Sequence, residues 1–375
     1  MTFVTPFGID QGGGAGAYTQ SVIDVLRAAF GGKVAILCPP HRVERSPWVA
    51  RALCVGLSAF SRSPAKAIYS KRSGLGDEAR RCLPQLHGDV TIINGADTYW
   101  FADEFADSAA RRVLVCHNIE SVFYRALVQS RGALERFVVE RLLGDVEKFE
   151  RLEFRAFRES DLILCISGDD AAFIRARFEG TPVHHVPPVF GYPSFAVSWA
   201  PPAQAGPLRL GFLAKYSWWP NVEAVRWFAD VILPHLPDDR ELHLFGCGSE
   251  RYHAPDRRVF AHGYVTDLTD IWRASDIMLC PMRKGGGVNI KFAEALYNGQ
   301  PVCATPMAAR GLGIEPRDVA GLRFLGESAE WIRFLSSEQA RSFAAARPGP
   351  ELGAKFALST QVEPLRAAFE RAVFR

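Results

Sequence analysis

Apolar residues fall along this chain in short runs, each closed by turn-forming or polar residues, with stretches of helical spacing between them. In the N-terminal half, MTFVTPF opens into the glycine turn GIDQGGGAGAY and then the helix-like TQSVIDVLRAAF. KVAILC, DVTIING, RRVLVCHN and DLILCIS are further strand-length runs. Strand-length apolar runs that alternate with helical patterns predict a parallel sheet with helical crossovers. Between the last two runs, Arg131 to Glu159 is charged and amphipathic, with Leu134, Phe137, Val138 and Leu142 predicting a helical face. The same grammar restarts in the C-terminal half. LRLGFLA, ELHLFG, RRVFAHGYV, DIMLCPM and PVCAT read as strands, and NVEAVRWFADVILPHL, LTDIWRAS and NIKFAEALYNG as helices. Gly299 is placed to close the last of these as a C-cap.

Between the halves, VPPVFGYPSFAVSWAPPAQAGP, ending at Pro207, is rich in proline and small residues and has no periodicity. The expected organisation is an N-terminal Rossmann-like domain over 1–190, a linker over 191–207 and a second Rossmann-like domain over 208–355. A C-terminal helix over 356–375 is expected to pack back towards the first domain. The fold class is α/β, and two such domains would face each other across a cleft at the carboxyl ends of their strands, where open parallel sheets bind ligands.

Composition adds bounds rather than chemistry. The 375 residues suffice for two domains, and 48% hydrophobic content supplies their cores. A formal net charge of +3 gives no general case for nucleic acid as a partner. From His41 to Arg81, nine Arg or Lys stand against three acids. That segment is either a solvated surface or a face that meets an anionic membrane or acceptor. The eight cysteines lack paired spacing, and several sit beside apolar runs, as small core hydrophobes do. No run approaches the roughly 20 apolar residues needed to span a bilayer, and the N-terminus lacks a signal-peptide pattern. The expectation is a cytoplasmic protein, soluble or peripheral at the inner face of the membrane.

Two glycine clusters carry the candidate chemistry. CPMRKGGGVNIKFAEA follows a strand and opens a helix, a position that offers backbone N–H groups and the positive helix end to an anion. Gly285, Gly286 and Gly287 allow close backbone approach, while Arg283, Lys284 and Lys291 add charge suited to a diphosphate. Glu294, three residues after Lys291, shares its helix face and suits the vicinal hydroxyls of a ribose. The plain alternative is a tight turn with a surface Lys–Glu pair. The first cluster, Gly12, Gly13 and Gly14 with Gly16, also lies between a strand and a helix, but it matches neither a strict dinucleotide fingerprint nor a Walker A loop. His117 ends the run VLVCHN, at the ligand-facing edge of its sheet or as a structural hydrogen-bonding group. Asn118 and Glu120 are polar neighbours, and Glu120 also suits the cap of the next helix. Asp10 and Ser167 either line the cleft or, for Ser167, cap the helix GDDAAFIRARF.

Read together, GFLAKYSWWPNVEAVRWF, ASDIMLCPMRKGGGVNIKFAEALYNGQPV and ATPMAARGLG resemble the C-terminal domain of the retaining glycosyltransferase family 4, which has the fold called GT-B. The N-terminal half resembles it more loosely, through GGGAGAY and CHNIES. The resemblance implies that Glu294 is the acid that holds the donor ribose. The family's other paired acid would fall at Gly287, a departure that removes one sugar contact and leaves it to the backbone of Gly286, Gly287, Val288 and Asn289. It further implies Lys215 as the cation near the donor diphosphate, with Arg283 and Lys284 as competitors. His117 becomes a contact to the donor sugar or reacting region, Gly14 a donor contact, and Gly12, Gly13, Asn118 and Glu120 acceptor-side groups. The implied activity is a metal-independent retaining glycosyltransferase with a nucleotide diphosphate sugar as co-substrate and no separate cofactor. Its acceptor would be a glycan or lipid-linked hydroxyl in cell-surface polysaccharide synthesis, with an anionic membrane surface as a candidate partner. The alternatives are a nucleotide-sugar epimerase of the same architecture and a non-catalytic scaffold that binds a nucleotide sugar or glycan.

Overall fold

The computed structural model describes the chain apart from residues 7–13, 33, 40–46, 83–88, 106–109, 130–131, 138, 141–143, 198–205, 253–255, 316 and 375. Two compact units emerge from its contacts. One comprises Met1–Gln11, Thr19–Pro187 and Gln361–Arg375, and the other Gly12–Tyr18 with Pro188–Thr360.

The first unit holds β1 (Thr2–Val4), β2 (Ala35–Leu37), β3 (Val90–Asn94), β4 (Arg111–Cys116), β5 (Leu162–Cys165) and β6 (Val183–His185). They form one parallel sheet in the order β2-β1-β3-β4-β5-β6. Its helices include α1 (Gly14–Phe30), α2 (Pro47–Ser58), α3 (Glu120–Gln129), α4 (Asp145–Glu159) and α5 (Gly168–Arg177). The amphipathic stretch from Arg131 does not form one helix. A five-residue helix, Ala133–Phe137, is separate from α4, which starts only after Gly144. Gly144 takes φ 56°, a left-handed conformation that interrupts a right-handed helix. Ser167 caps α5, its side-chain oxygen accepting from the Asp170 amide at 3.2 Å.

In the second unit, β7 (Leu208–Leu213), β8 (Arg240–Phe245), β9 (Val259–Gly263), β10 (Ile277–Cys280), β11 (Val302–Ala304) and β12 (Leu322–Phe324) form a parallel sheet. Their order is β12-β11-β10-β7-β8-β9. Side chains alternate between two cores. Leu242, Leu244, Ile277 and Leu279 face one cluster with Trp331, whereas Phe245, Met278 and Cys280 face the other with Trp272 and Phe292. A parallel sheet covered on both faces needs this near-continuous apolar sequence. Two helices matter for function, α6 (Trp219–Trp227) and α7 (Ile290–Tyr297). The C-terminal helix α8 (Ser359–Ala372) belongs largely to the first unit. Arg366 donates to the Ala29 carbonyl at 2.9 Å, and the Phe369 and Phe30 rings lie 4.9 Å apart. No helix among the described residues is long and apolar enough to cross a membrane.

The segment read as a linker is in part a strap across the end of α7. Ser194 Oγ donates to the Tyr297 carbonyl at 2.6 Å, the Phe195 amide donates to Asn298 Oδ1 at 3.0 Å, and Phe195 is buried. Beneath it α7 ends in a Schellman motif. The Gly299 amide bonds the Leu296 carbonyl and the Gln300 amide the Ala295 carbonyl, both at 3.0 Å, with Gly299 at φ 65°. A Cβ at Gly299 would lie 2.8 Å from Ala196 Cβ. Gly299→Ala therefore suffers both the left-handed penalty and a clash with the strap. We expect a loss of about 1–3 kcal/mol, seen as a lowered thermal midpoint. An unchanged midpoint would contradict this account of the strap.

Candidate active site

Each sheet reverses its winding once, and the carboxyl ends of the strands at that reversal mark the place where such sheets bind ligands. In the second unit the reversal lies between β7 and β10. Beyond β10, Pro281 to Asn289 lead into α7, with Gly285 at φ 121° and Gly287 at φ 82°. Residues with a Cβ rarely adopt such values. This gives a backbone reason for glycine at 287, where the resemblance would place an acid. A glutamate there would have to hold a strained conformation.

α7 brings Lys291 to the reversal. Its Nζ donates to Asn221 Oδ1 at 2.6 Å and lies 4.6 Å from the centre of the Phe212 ring of β7. Burial pulls its pKa down from 10.5 to about 8, with Cys280 at the end of β10 opposing. Among the described residues no carboxylate pairs with it. Asn221, itself buried, also donates from Nδ2 to the Lys215 carbonyl at 3.0 Å and so ties Lys291 to the loop after β7. Lys215 stands exposed on that loop. Gly286 is exposed too, while Val288 packs against the core below α7. Asn289 occupies the N-cap position of α7 without a side-chain cap bond, and its buried Nδ2 lacks an acceptor among the described residues. Such a donor calls for a partner that the described residues do not supply.

Glu294 lies one turn after Lys291. Its Oε1 accepts from the Tyr192 hydroxyl at 2.8 Å, and burial raises its pKa against that hydrogen bond. Tyr192 is held by Asn298 Nδ2 at 3.3 Å and packs 5.5 Å from the Tyr297 ring. Arg283 and Lys284 do not join this group. The Arg283 guanidinium lies 4.7 Å from the centre of the Trp227 ring, and Lys284 Nζ is 3.8 Å from Glu223 Oε1, so both contact α6.

In the first unit the reversal lies between β1 and β3. Asn94, the last residue of β3, donates from Nδ2 to Thr5 Oγ1 at 3.2 Å and Thr19 Oγ1 at 3.1 Å. Its Oδ1 is 2.7 Å from His117 Nε2, just past β4. Because Oδ1 can only accept, His117 Nε2 carries the proton and Nδ1 is the acceptor of the neutral ring. Burial holds its pKa down at about 4, with Glu120 opposing. Asn118 Nδ2 donates to Glu120 Oε1 at 2.9 Å, and Lys66 pairs with Glu120 Oε2. Burial works to raise the Glu120 pKa, but Lys66, Asn118 and His117 together hold it below its ordinary value. Asp97, whose charge also acts on Lys66, is pushed up to about 6 by burial. Glu153 of α4 accepts from the amides of Glu120 at 2.6 Å and Ser121 at 3.0 Å, which caps α3. Burial raises its pKa to about 7, against those hydrogen bonds.

Gly14 is exposed at the start of α1, whereas Gly12, Gly13 and Asp10 lie outside the described residues. Sequence reasoning missed Asn221, Tyr192, Asp97 and Glu153. The proline-asparagine pair at the mouth of α6 and the acid just after β3 were the available signals for the first and third. Among the described residues no group of three or more His, Cys, Asp or Glu is arranged to hold a metal ion.

The neutral state of His117 is directly measurable. Its ring resonances, assigned against a His117→Asn variant, should stay unchanged from pH 8 to about 5.5 and titrate near 4. A folded histidine pKa below the unfolded 6.5 withdraws stability as pH falls from 6.5 towards 4. A midpoint near 6.5 would contradict the burial and the hydrogen-bond assignment.

A family model described as "Glycosyl transferases group 1" matches residues 207–328. A search of curated proteins found no match. Among solved structures, sucrose-phosphate synthase from Thermosynechococcus elongatus is similar at 13% identity, with a TM-score of 0.62 over 99% of this chain and 98% of that one. HepE of Anabaena, solved with UDP-glucose, is similar at 16% identity and TM-score 0.58 over 99% of both chains. The lipopolysaccharide outer core galactosyltransferase WaaB is similar at 12% identity and TM-score 0.56, over 100% of this chain and 98% of that one. Residues 207–328 thus resemble a glycosyl transferases group 1 domain, in a chain with the GT-B fold.

Proposed function

We propose that the protein is a retaining, metal-independent glycosyltransferase that moves a sugar from a nucleoside diphosphate sugar to a hydroxyl of a glycan or lipid-linked acceptor in cell-surface polysaccharide synthesis. The observation that carries the donor reading is Lys291, a partly buried ammonium at the β7–β10 reversal with no carboxylate partner among the described residues. An anionic ligand there would repay its desolvation. As the glycosidic bond breaks, charge gathers on the departing diphosphate. Lys291 and the backbone N–H groups at the start of α7 would stabilise it. Glu294, oriented by Tyr192, would accept from the ribose hydroxyls, and Asn289 Nδ2 would find its acceptor on the donor. Neutral His117 would contact the donor sugar or the reacting region. Retention of configuration rests on the family 4 resemblance. Neither the epimerase nor the scaffold alternative gains support from the comparisons.

A lipid-linked acceptor would bring the protein to a membrane. Leu53 and Leu57 lie one turn apart on α2 and are exposed, and Phe60 just beyond is 95% exposed. Lys66, Lys71, Arg80 and Arg81 of the basic segment are paired with acids, so this apolar patch supports membrane contact better than the charge count does. Flotation with vesicles containing anionic lipid should carry the protein, and Phe60→Asp should lower the bound fraction. Equal flotation of both proteins, or none of either, would remove α2 as the contact.

Donor binding should follow the ionisation of Lys291. Because its pKa lies near 8, affinity for a nucleoside diphosphate should be highest below pH 8 and fall as pH rises through it. Lys291→Met should weaken binding about 10- to 100-fold and abolish that inflection in a calorimetric titration. A variant that binds as tightly as the parent would remove Lys291 from the donor site.

A further inference from the structure

α6 and the turn after it carry a second constellation that the donor site does not use. Trp219, Glu223, Arg226, Trp227 and Asp230 recur at three- and four-residue spacing, so they share one face. With Arg283 they line a groove of about 530 Å³. Trp219 is 41% exposed. The Trp227 ring is fixed edge-on against Trp331, with centroids 6.1 Å apart, and carries the Arg283 guanidinium over it. Glu223 Oε2 is buried with no hydrogen-bond partner among the described residues, while its other oxygen faces Lys284. Among the described residues, Arg226, Asp230 and Arg283 form no ion pair with one another.

Two indoles framed by planar hydrogen-bonding groups suit one kind of ligand. A pyranose ring has an apolar C–H face that packs on an aromatic surface and a rim of hydroxyls that both donate and accept. Carboxylates such as Glu223 and Asp230 accept from adjacent hydroxyls, and a guanidinium donates to them through its fork. The mixture of cations and acids gives the groove little net charge, which favours a neutral polar guest over a diphosphate. Glu223 Oε2, which has no donor among the described residues, would gain one from a sugar hydroxyl.

We propose that this groove is a saccharide-binding subsite of the second unit, which holds a sugar residue of the acceptor glycan or polymer away from the donor position at Lys291. It rests on the glycosyltransferase reading for the identity of its guest. The direct test is saturation-transfer NMR on the full-length protein with the methyl glycosides of glucose, galactose, mannose, N-acetylglucosamine and glucuronic acid. At least one should bind saturably, its apolar ring face receiving the strongest transfer. Binding should persist in Lys291→Ala and weaken about tenfold in Trp219→Ala. A second variant, Asp230→Ala, at an exposed position, should also weaken it, with thermal midpoints to establish that both variants are folded. Absence of transfer to all five glycosides overturns the proposal. So does transfer that survives both groove variants, or that is lost in Lys291→Ala alone, which would place the sugar at the donor position. Failure of the donor reading is separately visible, as nucleoside diphosphate binding that Lys291→Ala leaves intact.

Discussion

The bond from Lys291 to Asn221 is the constraint around which the second unit's site is arranged. It holds an ammonium against the Phe212 ring at the one place in the sheet where the strands part in opposite directions. Withdrawing a cation from water is costly, and a single neutral amide and a ring face offset only part of that cost. The lowered pKa of Lys291 expresses the remainder. Everything that fixes α7 serves this placement. The glycine turn at its start, the Schellman motif at its end and the strap of Tyr192 to Ala196 keep Lys291 and Glu294 on one face, a turn apart. Asn221 extends the constraint to α6 and, through the Lys215 carbonyl, to the loop after β7.

The first unit solves a different problem on the same type of sheet. At its reversal stands a neutral network, in which Asn94 joins β1, α1 and the end of β4 through Thr5, Thr19 and His117. Charge is gathered beside it, where Lys66 pairs with Glu120 and Asp97 and Glu153 are buried nearby. Burial keeps His117 uncharged, so it serves as a polar hydrogen-bonding group rather than as a cation. The reversal of the second unit thus presents positive charge, and that of the first a neutral polar network.

Much of this architecture was legible in the chain. Ten of the strands were readable as strand-length runs, most of them of the apolar kind that a covered parallel sheet demands, and Gly299 was readable as a cap because a helical pattern stopped at it. β6 and β12 were missed because VHH and LRF are three residues long and only partly apolar. The stretch from Arg131 misled because periodicity does not register one left-handed glycine at 144. That Lys291 and Glu294 share one face of α7 followed from helical spacing alone. The destinations of Arg283 and Lys284 did not, since Trp227 and Glu223 are more than fifty residues away in sequence. Tyr192 was hidden in a segment whose prolines suggested a linker, and Glu153 needed knowledge of which helix crosses the start of α3. Each of these depends on tertiary contacts that spacing cannot encode.

The account turns on whether the face of α7 that carries Glu294 holds a nucleoside diphosphate sugar. The most direct measurement is ligand-observed NMR of the purified protein with UDP-, GDP-, ADP- and TDP-sugars, alongside a Glu294→Ala variant and with free nucleoside diphosphate followed over time. The account predicts that sugars of one nucleotide class bind, that their ribose protons receive strong saturation transfer, and that the variant loses it. Slow release of the diphosphate would accompany binding in the parent protein. Absence of binding by all four classes, or binding indifferent to Glu294, would contradict it.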